Sequence, residues 1–245
     1  MEPTSDDARR PRLTRERIAE EALRLIDQDG LEGLSTRRLG ARLGVEAMAL
    51  YHHFPAKGAL LDAVVERLIA EIPMPNCPRD GEGWSPWLRQ VAGEYRALAL
   101  RHPEAFVLLA GRRFNARASF AFLEANAQVL LGAGFSARQA AWIFRAVGGF
   151  VNGAGLALAA TLRQARETEG ALIADPAARM PEFPGVAALA PHLAIGALDE
   201  AFDFGLDLLL AGIARLPRGH GGRRHVPPGR RRRETRKAPA LRPGP

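Results

Sequence analysis

Apolar residues recur three and four positions apart along most of the chain, and alternating β-branched runs are nearly absent, so the pattern predicts an all-helical protein. Thr14 can cap a first helix with Glu16 in its first turn, and Ile18, Ala22, Leu25 and Ile26 form a one-sided stripe that stops at Asp29-Gly30. Ser35 or Thr36 can cap a second helix, with Leu39 and Leu43 one turn apart and Gly44 as a small turn residue. A third helix starts near Glu46, carries Leu50 and Phe54 on one side and ends at Pro55. A fourth opens at Lys57, with Leu61, Val64, Val65, Leu68 and Ile72 as its stripe. Pro73, Pro75 and Pro78 mark a linker over residues 73–84, which delimits a first four-helix unit at residues 13–72.

A second helical unit is predicted over residues 85–216. Ser85-Pro86 reads as a cap followed by proline at the first helical position, opening a helix that runs to about residue 101. Pro103 starts a short helix that breaks near Gly111, and further helices are expected over about residues 115–131 and from a Ser136 cap to about residue 162. A polar, proline-containing loop over about residues 167–184 precedes a last helix carrying Ile195, Leu198, Phe202, Leu206, Leu209 and Ile213. The most apolar run, residues 146–160, is shorter than the ~20 residues of a membrane span and contains Asn152, so it is expected to be a buried helix and no membrane partner is expected. Residues 1–12 read as a flexible arm, and residues 217–245, rich in Pro, Gly and Arg, as a disordered tail.

The net charge of +7 suggests nucleic acid only until it is located. Residues 218–245 hold ten Arg or Lys against Glu234 alone, so this tail carries +9 and the remaining residues about −2. Any claim on DNA must therefore rest on particular residues. The lone Cys77 excludes an internal disulfide, and the polar start lacks an apolar signal core, so a cytoplasmic location is expected. No Gly-rich phosphate loop, Cys-x-x-Cys or His-x-x-x-His spacing, or nucleophile with a recognisable base occurs. No catalytic residue, metal or cofactor is expected, and His52 and His53, about 100° apart on a helix, are poorly placed to share an ion.

The first unit contains two short helices joined by a tight turn, the pattern of a helix-turn-helix that reads DNA. Its string GLSTRRLGARLGVEAMALYHHFPAKGALLDAV resembles the DNA-binding domain of the TetR family of transcriptional repressors in the order and spacing of Thr-Arg, Gly-Val, Leu-Tyr-x-His and Lys-x-x-Leu-Leu-Asp. More weakly, GEGWSPWLRQVAGEYRALALRHPEA and GFSARQAAWIFRAVGGFVNGAGLAL are similar to the regulatory domain of the tetracycline-repressor branch. The resemblance implies an all-α homodimer that places a third helix of each subunit in the major groove of a palindromic, double-stranded operator. It also implies release of DNA by a small-molecule effector.

At the start of the second helix, the Arg37 guanidinium can reach guanine O6 and N7, and Thr36 can either cap its helix or contact phosphate. Ala47, Met48 and Ala49 occupy the family's base-facing positions, where tetracycline repressors carry a more polar triplet. These small apolar groups can pack on thymine methyls, weighting readout toward A·T pairs; Met48 has an equal alternative reading as a core residue. Tyr51, His52 and Lys57 match positions that resemble backbone-contacting groups, with Lys57 further helped by the positive end of its helix.

For the effector, the resemblance sets Leu109 where tetracycline repressors carry a drug-binding histidine, and Pro73, Val91 and Ala125 at other drug-contacting positions. A magnesium-bound tetracycline would find few partners here. The expected site is an apolar lining of Val91, Tyr95, Leu109, Phe114, Phe122, Val147 and Phe150, with Arg113 as an anchor for an acidic group; the same aromatics would also serve as a filled core. Glycines 148, 149, 153 and 155 would let a partner helix approach closely. The rival class is an architectural or RNA-binding protein acting through its basic tail, which random DNA or RNA would compete for as well as an operator does.

Overall fold

The computed structural model describes residues 12–76, 78, 83–112, 117–167 and 183–218, and among these there are helices and no strand. The expected arm at residues 1–12 and tail at residues 217–245 lie almost entirely outside the described residues, as does most of the loop at residues 167–184.

Helix α1 (Arg15–Asp29) begins where the Thr14 hydroxyl accepts the Arg17 N–H at 3.2 Å and ends at Gly30, whose φ of 74° is readily available only to glycine. Helix α2 (Thr36–Leu43) is capped by Ser35, whose Oγ accepts the Arg38 N–H, and closes at Gly44 with φ 70°. Helix α3 (Ala47–Tyr51) stops four residues before Pro55, earlier than the sequence predicts. The Phe54 N–H bonds the Leu50 carbonyl at 2.9 Å, and that turn folds the Phe54 ring into the core. Helix α4 (Lys57–Ala70) then packs against α1.

The next helix, α5 (Trp84–Arg101), starts one residue before the expected cap: Gly83 precedes it, no side chain caps it, and Pro86 falls inside the first turn. Burial of Trp84, edge-on to Phe135 at 5.5 Å, outweighs the local Ser-Pro signal. Helix α6 (Val107–Arg112) begins four residues beyond Pro103, and α7 (Arg117–Gly132) follows. At the start of α8 (Ala137–Glu167), Ser136 Oγ accepts the Gln139 N–H while Gln139 Oε1 accepts the Ser136 N–H, a reciprocal cap.

Helix α8 is long and apolar enough to cross a membrane by length and composition, which the shorter run at residues 146–160 did not predict. It is not a fully buried helix either. Val147, Val151, Leu158 and Ala159 enter the core, whereas Trp142 is 62% exposed. A short helix α9 (Pro184–Leu189), absent from the sequence reading, and two 3-10 turns lead into α10 (Leu198–Ala214). Ile195 lies in one of those turns, and Leu210 takes the core position expected of Leu209. One continuous apolar core runs from Ile18 in α1 to Ile213 in α10, and α4, packed against α1 on one side and α6 and α7 on the other, is its middle.

Candidate functional site

The α2-turn-α3 corner is set by glycine and leucine. A Cβ on Gly40 would lie 2.8 Å from the Val45 carbonyl oxygen and 3.3 Å from the Ala47 nitrogen, so the two helices meet backbone to backbone there. The Val45 N–H bonds the Gly40 carbonyl at 2.9 Å, while Leu39, Leu43 and Leu50 are buried beneath. With Leu50 committed inward, α3 presents Met48 at 68% exposure, with Tyr51 and His52 also exposed and Ala47 and Ala49 half-buried. The core alternative for Met48 therefore falls. Ser35 supplies the cap, which leaves the half-buried Thr36 hydroxyl free of that duty.

Arginines around the corner are mostly engaged within the protein. Arg38 pairs with Asp29 at 2.6 Å and donates to the Gly33 carbonyl; Arg42 pairs with Glu21 at 2.5 Å; Arg15 bonds the His53 carbonyl and covers the Phe54 ring. Arg37 is exposed and makes no ion pair or hydrogen bond among the described residues. Lys57 is exposed as well, but its Nζ donates to the Leu34 carbonyl at 3.1 Å, holding the ammonium at the N-terminus of α4.

Between α4, α5, α7 and α8 lies a cavity of about 50 Å³, room for a few waters, with a largely apolar wall. Of the expected lining, Val91 and Tyr95 on α5, Phe122 on α7 and Val147 on α8 face it. Leu109 does not: it is fully buried in the core. Phe150 instead stacks on Phe202 of α10 at 5.5 Å. Arg113 and Phe114 lie outside the described residues. The sequence reading missed Ile69, Leu88, Ala92, Phe144, Gly148 and Val151, which are apolar like their neighbours. It also missed two polar residues, Ser119 and Asn126, whose place among apolar positions of α7 was a usable signal.

Polar groups at the wall are few and mostly satisfied. Tyr95 donates its hydroxyl proton to Asn152 Oδ1 at 2.8 Å, and Asn126 donates to the Phe122 carbonyl while accepting from Trp87 Nε1. The buried Ser119 Oγ has no hydrogen-bond partner among the described residues.

The outer faces of α8 and α10 are apolar and open, with Trp142, Phe204 and Leu208 all well exposed. Here the glycines divide. Gly149 and Gly153 border empty space, whereas Gly148 lines the cavity and Gly155 lies against the Phe106 ring, so the last two serve packing within the chain.

Residues 18–64 match the family model for bacterial regulatory proteins of the tetR family, and residues 77–216 match the tetracyclin repressor-like C-terminal domain. The chain belongs to the TetR family. The class C tetracycline repressor of Escherichia coli is 35% identical over 208 residues, 84% of this chain and 92% of that protein. The class G repressor of Vibrio anguillarum is 33% identical over 203 residues, 79% and 90% of the two chains. Among solved structures, ActR from Streptomyces coelicolor in complex with actinorhodin superposes with a TM-score of 0.68 at 25% identity, covering 83% of this chain and 98% of that one. A TetR variant from Acinetobacter baumannii in complex with minocycline gives 0.63 at 32% identity, with the same coverage. As a TetR-family member the chain is a ligand-responsive, DNA-binding transcriptional regulator.

In this TetR-family chain the two halves meet on α4. Ile69, near its end, lines the cavity. At its other end, Arg112 of α6 donates to the Gly58 carbonyl at 3.1 Å and pairs with Asp62 at 2.8 Å, within the first two turns of α4.

Proposed function

We propose that the chain acts in the cytoplasm as a homodimeric repressor: residues 13–72 read a palindromic operator, and residues 85–216 pair the subunits and release DNA when a small, mostly hydrophobic effector enters the cavity. The observation that carries this reading is the double role of α4, whose first turn holds Lys57 and whose last turn supplies Ile69 to the cavity wall. An effector too large for the present cavity must push its walls apart, and Ile69 transmits that displacement to the DNA-reading helices. Dimerisation through the exposed apolar faces of α8 and α10 fits their burial pattern, since two recognition helices are needed for a two-fold site.

Direct base contact is assigned to Arg37, Ala47, Met48 and Ala49, and phosphate contact to Thr36, Tyr51, His52 and Lys57. The effector meets Val91, Tyr95, Phe122 and Val147, with Arg113 and Phe114 retained as neighbours from the sequence. The apolar wall favours a hydrophobic or aromatic molecule over a magnesium-chelated tetracycline, whose charge it would strip of water without replacement. The arginines of residues 217–245 add only a modest, sequence-independent attraction to phosphate.

Selection of bound duplexes from a random pool supplies the DNA for the test. On the recovered palindrome Arg37→Ala weakens binding by about 1–3 kcal/mol, with little loss on random duplex. Equal losses on both would remove Arg37 from base readout, and recovery of no preferred sequence would overturn operator reading itself.

A further inference from the structure

His102 follows the last residue of α5 and reaches two other helices at once. Its Nδ1 lies 2.7 Å from Asp27 Oδ2 on α1, and its Nε2 lies 2.9 Å from Glu71 Oε2 at the residue that ends α4. Carboxylates only accept, so both contacts are hydrogen bonds only when both ring nitrogens carry protons. The neutral ring, in either tautomer, turns a lone pair on one of the two anions. The side chain is 15% exposed, and neighbouring dipoles and charges are correspondingly poorly screened.

The two carboxylates depend on the ring unequally. Glu71 also has Arg67 of α4 at 3.5 Å and Arg101 of α5 at 3.8 Å. Among the described residues Asp27 has no other cation and its buried Oδ1 has no hydrogen-bond partner. From the turn after α5, Glu104 faces Arg163 of α8 at 4.0 Å, and among the described residues the ring's ion pairs are with Asp27 and Glu71. Loss of the ring proton therefore leaves the end of α4 tied to α5 through Arg101, and leaves Asp27 of α1 with no charged partner on α5.

We infer that His102 is a positioning residue for operator reading: its imidazolium fastens α1 and the end of α4 to α5, and loss of its proton loosens the DNA-reading helices from the regulatory core. The hydrogen bond to Asp27 raises the ring's affinity for its proton above the ordinary value of 6.5, burial opposes this, and Glu71 adds to it. The fastening is thus complete below the ordinary value and is lost as pH rises through the raised one. Holding α1 and α4 in place reduces the ordering cost of docking, so operator affinity is higher on the acid side.

The inference rests on the operator-binding reading above, and the test separates the two. Full-length wild-type protein and His102→Gln are titrated with the selected duplex and with random duplex from about pH 6 to about pH 9. His52 and His53, present in both proteins, cancel in the comparison. Wild type is expected to lose about fivefold more affinity for the selected duplex than His102→Gln across that interval, with no such difference on random duplex. Protection of α1 amides from hydrogen exchange, corrected for intrinsic rate, falls over the same interval in wild type alone. Parallel profiles for the two proteins overturn the inference, as does an NMR titration placing the His102 ring at or below its ordinary value. If His102→Gln does not fold, Asp27→Asn takes its place and must lower the ring's titration midpoint. If no duplex is selected, operator reading fails, and the amide protection still decides whether His102 fastens α1.

Discussion

Gly40→Ala reduces the protein's affinity for its selected operator to nearly that for random duplex, while the regulatory half keeps its fold. The added methyl would sit 2.8 Å from the Val45 carbonyl oxygen and 3.3 Å from the Ala47 nitrogen. Both are backbone atoms, one in the turn and one opening α3, and neither can swing aside as a flexible side chain would. The helices must separate, which stretches the Val45-to-Gly40 hydrogen bond and shifts α3 relative to Arg37 on α2. Ala gains about 1 kcal/mol of helix propensity over Gly, too little to offset a backbone clash on this scale. Specific sites exceed nonspecific ones by about 4–10 kcal/mol, and that gap depends on base-edge contacts held to sub-ångström placement, so a loss of about 3 kcal/mol or more is expected. The phosphate contact proposed for Lys57, on a different helix, would survive and keep random-duplex binding near wild type. Gly58→Ala is the control, because its Cβ would meet only Arg112 Nη1 at 3.9 Å. Fluorescence anisotropy on both duplexes, with circular dichroism to confirm helix content, reads the result. Operator affinity within about twofold of wild type would mean that the corner tolerates the methyl and does not set the recognition helix.

The reading corner was legible because its signals are local. Ser35, Leu39, Gly44 and Leu50 act on neighbours within a turn, so periodicity and turn chemistry reach them without knowledge of the rest of the fold. Where local and tertiary preferences conflict, the tertiary one prevailed. Trp84 joined α5 because its ring is buried on Phe135. The cavity was only half legible for a different reason. Leu109, Phe150 and Val91 carry equivalent apolar patterns, and which of them faces a void depends on the partner helix: α10 claims Phe150 and the core claims Leu109. The contribution of α4 through Ile69 was hidden because its stripe read as the core of the first unit alone. The His102 bridge joins residues 31 and 75 positions apart, beyond any spacing rule.

Phe106→Ala is expected to cost about 3–5 kcal/mol of stability, a large share of a typical domain's total of about 5–15 kcal/mol. The ring is fully buried, packs edge-on to Tyr95 with centroids 5.7 Å apart, and fills the space that a side chain on Gly155 would otherwise occupy. A Cβ on Gly155 would lie 2.4 Å from Phe106 Cζ, so α8 approaches this ring only because position 155 lacks one. The two residues are therefore coupled, and their substitutions do not add. Gly155→Ala alone forces the ring or the helix to move and destabilises by about 1–3 kcal/mol. Made in the Phe106→Ala background, the same change puts a methyl into the vacated space and gains helix propensity, so it is neutral or stabilising. Urea unfolding of the four proteins at one fixed concentration measures the cycle, the concentration being held because the proposed pairing of subunits would contribute to apparent stability. A coupling of about 1 kcal/mol or more, with the double variant no less stable than Phe106→Ala, is the expected outcome. Additive losses would place Phe106 away from α8 and remove the packing that seats Tyr95 at the cavity wall.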